Sequence, residues 1–259
     1  MQFIPIKTRV MQPPQDDLLS VLDGSLGDFT EGDVLMVSSK VVAIHEGTCI
    51  PTAEGLKEKL VQEEADVIIP RDYYNTPLTL AHNTFIGAAG IDESNGDGHL
   101  ILLPKDLFLS AKNLYEYIKA KKQLKYFGIV IIDSQSTVLR YGATGVALSW
   151  WGIRPLQDHC GRSDLFGRAI KHERSNIVDG LAAAATVATS PSQTIVSPTI
   201  VKANWLAGKI LTLKRKVSLE LLLSKPELTM ISKLNVPPVC VLMVPMFKSN
   251  VVPTVNKDI

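Results

Sequence analysis

The chain has few cysteines, no long unbroken apolar run and almost no net charge. Cys49, Cys160 and Cys240 are the only cysteines in 259 residues. They lie far apart, are odd in number and show no zinc-ligand spacing, which suggests a reducing cytoplasm. The 27 basic residues face 26 acidic ones, a net charge of +1. Nothing in that balance argues for a nucleic-acid partner or a basic membrane face. The start, Met1-Gln2-Phe3-Ile4-Pro5-Ile6-Lys7, lacks the charged-then-apolar order of a signal peptide. The most apolar late stretch, residues 236–247, is broken by Pro237, Pro238 and Pro245 and is shorter than the ~20 residues a bilayer span needs. There is no Gly-x-x-x-x-Gly-Lys-Ser/Thr loop, no Gly-x-Gly-x-x-Gly after a strand and no Gly-x-Ser-x-Gly elbow. An ordinary P-loop NTPase is excluded, and a dinucleotide fold has no support.

What is present is a 46% hydrophobic chain, enough for a substantial core in one large or two modest domains. Residues 33–40, Asp-Val-Leu-Met-Val-Ser-Ser-Lys, read as a buried strand with a polar exit. Residues 16–22 fit a short helix after Pro13-Pro14. Residues 54–64 fit a solvent-facing helix with Leu56, Leu60 and Val61 inward. Residues 100–103 read as a strand stopped by Pro104. Ser110 is then expected to cap a helix reaching about Lys122, with Leu114, Tyr117 and Ile118 on its inner face. Gly128-Ile129-Val130-Ile131-Ile132-Asp133 is the clearest strand, and its β-branched run implies burial on both faces. Residues 144–148 suggest another strand. Residues 176–188 form a helix whose Ala182 to Ala185 run favours close packing. Alternation of strands and helices predicts a mixed α/β (α+β) architecture. No internal repeat is found, and residues 250–259 read as a loose tail.

Three polar segments carry candidate chemistry. Gly90-Ile91-Asp92-Glu93-Ser94-Asn95 sets a carboxylate, a hydroxyl and a carboxamide on a glycine-preceded loop, an oxygen-rich corner suited to a divalent cation and phosphates. A plain turn accounts for the same residue types. Asp133-Ser134 leaves the best strand, where ligands of open sheets collect; a strand-ending cap is the alternative. Asp158-His159-Cys160-Gly161-Arg162-Ser163-Asp164-Leu165-Phe166-Gly167-Arg168 offers two arginines to a phosphate or carboxylate, or is a loop in which Asp164 and Arg168 pair. His45, His82, His159 and His172 are read as structural or surface residues rather than catalysts.

Taken together, these segments resemble the coenzyme F420-0:L-glutamate ligase family, the γ-glutamyl ligases. The resemblance runs through residues 34–47, 90–95, 131–147 and 158–185. It implies a GTP-dependent, divalent-metal-dependent ligase that joins L-glutamate to a cofactor carboxylate through an acyl phosphate. It also implies a two-domain α/β protein forming an intertwined homodimer. The ligase-like region would span residues 1–205, as two interleaved subdomains. Residues 206–259 would form a divergent C-terminal segment. By carry-over Asp92 and Asp133 hold a first Mg2+ or Mn2+, and Ser134 stands where the family has a threonine ligand to a second. Ser39, Lys40 and Asn95 contact GTP. Asp158, Asp164, Arg168 and Gln193 are possible supporting residues, and no general base is assigned.

The sequence also departs from the family pattern. Thr189-Ser190-Pro191-Ser192-Gln193 replaces the usual Met-Gly followed by Gln or Glu, and proline offers no side-chain ligand. The motif after the central strand, Asp133-Ser134-Gln135-Ser136-Thr137, resembles that of a bacterial side branch of the family, which implies a folate-like acceptor rather than F420-0, the other acceptor considered. Tyr141, Trp150 or Trp151 would stack on the ring of either. A non-catalytic nucleotide-binding relative with an incomplete second metal site is the alternative reading.

Overall fold

A computed structural model describes residues 1–71, 76–137, 140–189 and 200–204, the last five through their backbone alone. Two compact units emerge: Met1–Glu54 with the described part of Ile91–Leu213, and the described part of Gly55–Gly90. The first unit opens with β1 (Phe3–Ile6), α1 (Leu18–Ser25), β2 (Asp33–Ser38), α2 (Ser39–Glu46) and β3 (Cys49–Pro51). The second holds α3 (Leu56–Glu64), β4 (Val67–Ile69), β5 (Leu78–Ala81), β6 (Thr84–Gly87) and a 3-10 turn at Ala88–Gly90. The chain continues in the first unit with β7 (His99–Ile101), α4 (Leu107–Lys122), β8 (Gly128–Ser136), β9 (Ala143–Trp151), β10 (Leu156–Asp158), β11 (Arg174–Asn176), α5 (Ile177–Ala188) and β12 (Ile200–Asn204).

The first unit is built on a five-stranded sheet in the order β1-β12-β2-β8-β9. Only β2 and β8 run parallel, from Val34 opposite Gly128 to Ser38 opposite Ile132. That position explains their composition. Val34 to Val37 and Ile129 to Ile132 are all buried, because a strand covered on both faces has no polar side. On one face Val34, Met36, Val130 and Ile132 pack against Val178, Leu181, Ala182 and Ala185 of α5. Alternation sends Leu35, Val37, Ile129 and Ile131 to the other face, where α2 contacts both strands and α4 contacts β8.

Three sequence expectations need correction. The cap of α4 is Asp106, whose carboxylate accepts from the backbone N–H of Phe108 and Leu109. Ser110 lies inside the helix and instead donates to Glu46 Oε1 at 2.5 Å. Asp106 wins because an anion there also complements the helix N-terminus. Tyr117 is not on the inner face; Tyr115 is, stacked on Phe127, while the Tyr117 hydroxyl bonds Asp23. Finally, β8 does not stop at Asp133. Parallel pairing with β2 ends at Ile132, but antiparallel pairing with β9 continues to Ser136 after a bulge at Ile131/Ile132. The strand expected at 144–148 is accordingly longer, Ala143–Trp151.

The second unit pairs β4-β5-β6 as a small sheet. Its closing 3-10 turn is pinned where Ala89 N–H donates to Thr79 Oγ1 at 2.8 Å. No described helix is long and apolar enough to cross a membrane. Cys49 and Cys160 are free thiols; Cys240, Gln193 and residues 206–259 lie outside the described residues.

The packing of α5 on β9 depends on Gly145. A Cβ there would stand 2.2 Å from Ala182 O and 2.3 Å from Thr186 Oγ1. Gly145→Ala is expected to destabilise the protein by roughly 1–3 kcal/mol, the usual cost of forcing extra volume into a packed site. Gly180→Ala, on the exposed side of α5 with nothing within 4 Å, should instead stabilise by about 0.5–1 kcal/mol. Urea denaturation of the two variants checks both signs.

A candidate cation and phosphate site at the start of α2

Strand β2 passes into α2 without a connecting loop. Ser38 is the cap, in extended conformation, and Ser39 and Lys40 are the first two helical residues. The adjacent parallel strand β8 reaches Asp133 one residue beyond Ile132, on the α2 side of the sheet. Ser39, 2% exposed, donates from Oγ to Asp133 Oδ2 at 3.0 Å. The N–H of Ser134 donates to Asp133 Oδ1 at 2.7 Å.

Asp92 arrives from another direction. Its backbone N–H donates to Ile101 O at 2.9 Å, and the Ile101 N–H donates back at 2.7 Å, fixing the loop to the end of β7. Ser94 then folds over the carboxylate: its N–H and Oγ both donate to Asp92 Oδ1, at 2.9 and 2.7 Å. This is the Asx-type turn that Asp favours. Asn95 and Asp97 hold positive φ, and Asn95 is exposed. Gly96 is required, since a Cβ would sit 2.0 Å from His99 O.

Lys40 joins the two halves. Its Nζ lies 2.5 Å from Asp92 Oδ2 and donates to Ser94 O at 2.8 Å and Ser94 Oγ at 3.2 Å. The Lys40 side chain is 12% exposed against 44% for Asp92, so the ammonium is turned inward. The two carboxylates differ electrostatically. Burial pushes Asp92 upward, but the hydrogen bonds from Lys40 and Ser94 outweigh it and hold the group below its ordinary value. Asp133 is pushed up to about 6: burial dominates, the Ser134 N–H, the Ser39 hydroxyl and the Lys40 charge offset only part of it, and the nearby Asp92 charge adds to the rise. Asp133 is therefore a carboxylate short of positive charge.

A third oxygen lies on the same strand face. Gln135 follows Asp133 by two residues, and its Oε1 is buried without a hydrogen-bond partner among the described residues. An orphaned amide oxygen beside an under-compensated carboxylate suits a hard cation, which takes oxygen ligands. Among the described residues no group of three or more His, Cys, Asp or Glu side chains gathers. Magnesium does not need one, because one or two carboxylates with phosphates and water suffice. Asp92 and Asp133 thus fit a divalent cation shared with phosphate.

Other predicted residues fall elsewhere. Ser134 pairs with Gly145 across β8–β9 and alternates to the α5 face, away from the face Asp133 uses. The 158–168 segment follows the exposed β10–β11 ribbon. Asp158 pairs with Arg174 at 3.1 Å, while Asp164 and Arg168 join through their backbones, Asp164 Oδ1 also accepting from the Arg168 N–H at 2.8 Å. None of the hydrogen bonds or ion pairs described for Asp158, Asp164 or Arg168 reaches Asp92 or Asp133. His45 Nδ1 accepts from the Leu18 N–H, His82 faces Glu64 and His159 meets Ser175, so all three are structural. Trp150 packs edge-on to Phe108, and Tyr141 is fully exposed. A separate cavity of about 310 Å³ between α1, α2 and α4, lined by His45, Glu46, Ser110 and Leu114 among others, includes none of the site residues. Sequence reasoning missed Gln135 and the Lys40–Asp92 pair. Period-two alternation from Asp133 would have flagged the first; the second is a tertiary contact without a local signal.

The raised Asp133 value has a measurable consequence. Between the ordinary 3.8 and about 6 the folded protein holds a proton that the unfolded chain has released. Stability from this group therefore falls as pH rises through that window. With divalent cations chelated, wild-type stability should drop relative to Asp133→Asn between about pH 4 and 6, followed by denaturant titration. Parallel curves for the two proteins would count against the buried carboxylate.

Comparison with known proteins shows the family. A sequence model described as F420-0:Gamma-glutamyl ligase matches residues 5–202. The coenzyme F420:L-glutamate ligase of Halorubrum lacusprofundi is 30% identical over 219 residues, 74% of this chain and 83% of that protein. The protein of the same name from Methanothermobacter thermautotrophicus is 28% identical over 205 residues, covering 71% and 80%. That from Methanopyrus kandleri is 32% identical over 201 residues, covering 70% and 78%. With most of its length matched, and with an oxygen-rich site placed on the matched portion, the chain is a ligase enzyme belonging to the F420-0:gamma-glutamyl ligase family.

Proposed function

We propose that this protein forms an amide bond between L-glutamate and the carboxylate of coenzyme F420-0 or a folate-like acceptor, at the expense of GTP. The observation that carries this reading is the convergence of Asp92, Asp133, Ser39 and Lys40 at the end of the β2–β8 pair. A substrate carboxylate would attack the γ-phosphorus of GTP, expelling GDP and giving an acyl phosphate. The glutamate amine would then attack the acyl carbon, lose a proton and expel phosphate. Such chemistry rests on positioning and charge stabilisation more than on a covalent protein nucleophile.

The residues divide the work. Asp92 and Asp133 would hold a Mg2+ or Mn2+, with Gln135 on the same face of β8 as Asp133. When bound, that cation neutralises charge on the transferring phosphoryl group. Lys40 supplies a compact charge for a phosphate oxygen. Ser39 holds Asp133, and Ser94 holds Asp92, so that neither carboxylate swings away. Asn95, exposed on the same loop as Asp92, is the nucleotide contact. The active form would be a homodimer of two-domain chains.

The orientation of Ser134 favours a second reading: a relative that binds GTP without turning it over. With Ser134 on the α5 face and Pro191 in place of a ligand-bearing residue, a second metal would lose two of its expected protein ligands, and Gln193 is the remaining candidate. Phosphate release with GTP, L-glutamate, Mn2+ and F420-0 or a reduced folate separates the two. Glutamate-dependent release, reduced at least about a hundredfold in Asp92→Asn or Asp133→Asn, is the expected result. GTP binding with no release on either acceptor would establish the second reading.

A further inference from the structure

We infer that Lys40 is a resident counter-cation, seated on Asp92 until a nucleotide phosphate draws it away, so that divalent-cation binding is coupled to nucleotide binding. This rests on the reading that Asp92 and Asp133 hold the cation. Both oxygens of Asp92 are already engaged. Oδ1 accepts the Ser94 N–H and Oγ, and Oδ2 meets the Lys40 ammonium at 2.5 Å. A divalent cation approaching Oδ2 meets the Lys40 ammonium beside it, and that repulsion is relieved when Lys40 leaves. The Ser94 N–H contact is part of the backbone turn and moves only with the loop, and the Ser94 hydroxyl is neutral and does not repel a cation. The Lys40 contact ends a flexible four-carbon stem and can leave alone.

The destination is set by the same geometry. Two of the contacts made by Lys40 Nζ are with Ser94 O and Oγ at 2.8 and 3.2 Å, neutral acceptors that a phosphate oxygen outcompetes. Once Lys40 turns to phosphate, Asp92 Oδ2 is freed, and the two carboxylates are left with no ammonium between them. The charge deficit then calls for a divalent cation. By linkage the effect is reciprocal: each ligand strengthens the other through Lys40, beyond any chelation of phosphate by the metal itself.

The test is Mn2+ affinity in the absence of nucleotide, read at neutral pH from the paramagnetic resonance signal of free Mn2+. Lys40→Met and Lys40→Gln should each bind Mn2+ roughly two- to fivefold more tightly than wild type, the factor that loss of a part-exposed ion pair supplies. Lys40→Arg should match wild type. In chelator, GTP should bind more weakly to Lys40→Met and Lys40→Gln than to wild type. A lysine that merely held the loop in shape would give weaker Mn2+ binding in both uncharged variants, and that result overturns the inference. Unchanged Mn2+ affinity, or unchanged GTP affinity in chelator, overturns it too. Mn2+ affinity that is indifferent to Asp92→Asn would instead refute the cation site itself. Two uncharged variants are used so that a folding defect in one, seen by circular dichroism, leaves the other decisive.

Discussion

Two consecutive residues at the start of α2 each answer one carboxylate, and the rest of the site is arranged around that fact. Ser39 reaches Asp133 and Lys40 reaches Asp92. This is possible because β2 passes directly into α2, so no loop intervenes to let the helix start drift. The parallel pairing of β2 with β8 sets Ser38 opposite Ile132 and brings Asp133 to the same level one residue later. The apolar strands β2 and β8 that carry this turn are buried. Their packing against α5 on one face and α2 and α4 on the other fixes the turn in place.

The consequence is a site with unequal halves. Asp92 is satisfied, with a lysine and a serine on its oxygens, whereas Asp133 has hydrogen bonds and only a small effect from the Lys40 charge. A folded protein tolerates a buried carboxylate in that state at a cost in stability. In the proposed function a bound cation would remove that cost, and its charge would be the one phosphoryl transfer needs. Gln135, its amide oxygen without a described partner, belongs to the same logic: polar groups left open in the ligand-free protein are where a ligand is expected.

Much of the frame was legible in the sequence because it rests on local signals. The β-branched run of β8 and the alanine run of α5 announce their elements. The Asp-x-Ser-Asn loop announces a turn that can also bind a cation. What was not legible depended on competition or on tertiary contact. Ser110 looked like a cap, but Asp106 was the stronger candidate. Tyr115 and Tyr117 are both aromatic on one helix, and only the position of Phe127 decides which turns inward. The extension of β8 past Asp133 follows from pairing with β9, and it is this extension that sets Ser134 and Asp133 on opposite faces. The contact between Lys40 and Asp92 joins segments far apart in the chain, and no periodicity predicts it.

The most direct test is a crystal structure with Mn2+ and a non-hydrolysable GTP analogue, with the metal located by its anomalous scattering. The account predicts one strong peak bonded to carboxylate oxygens of both Asp92 and Asp133, with the Lys40 ammonium on a phosphate oxygen and no longer on Asp92. A manganese peak remote from both carboxylates, or a bound nucleotide with Lys40 still paired to Asp92, would contradict it.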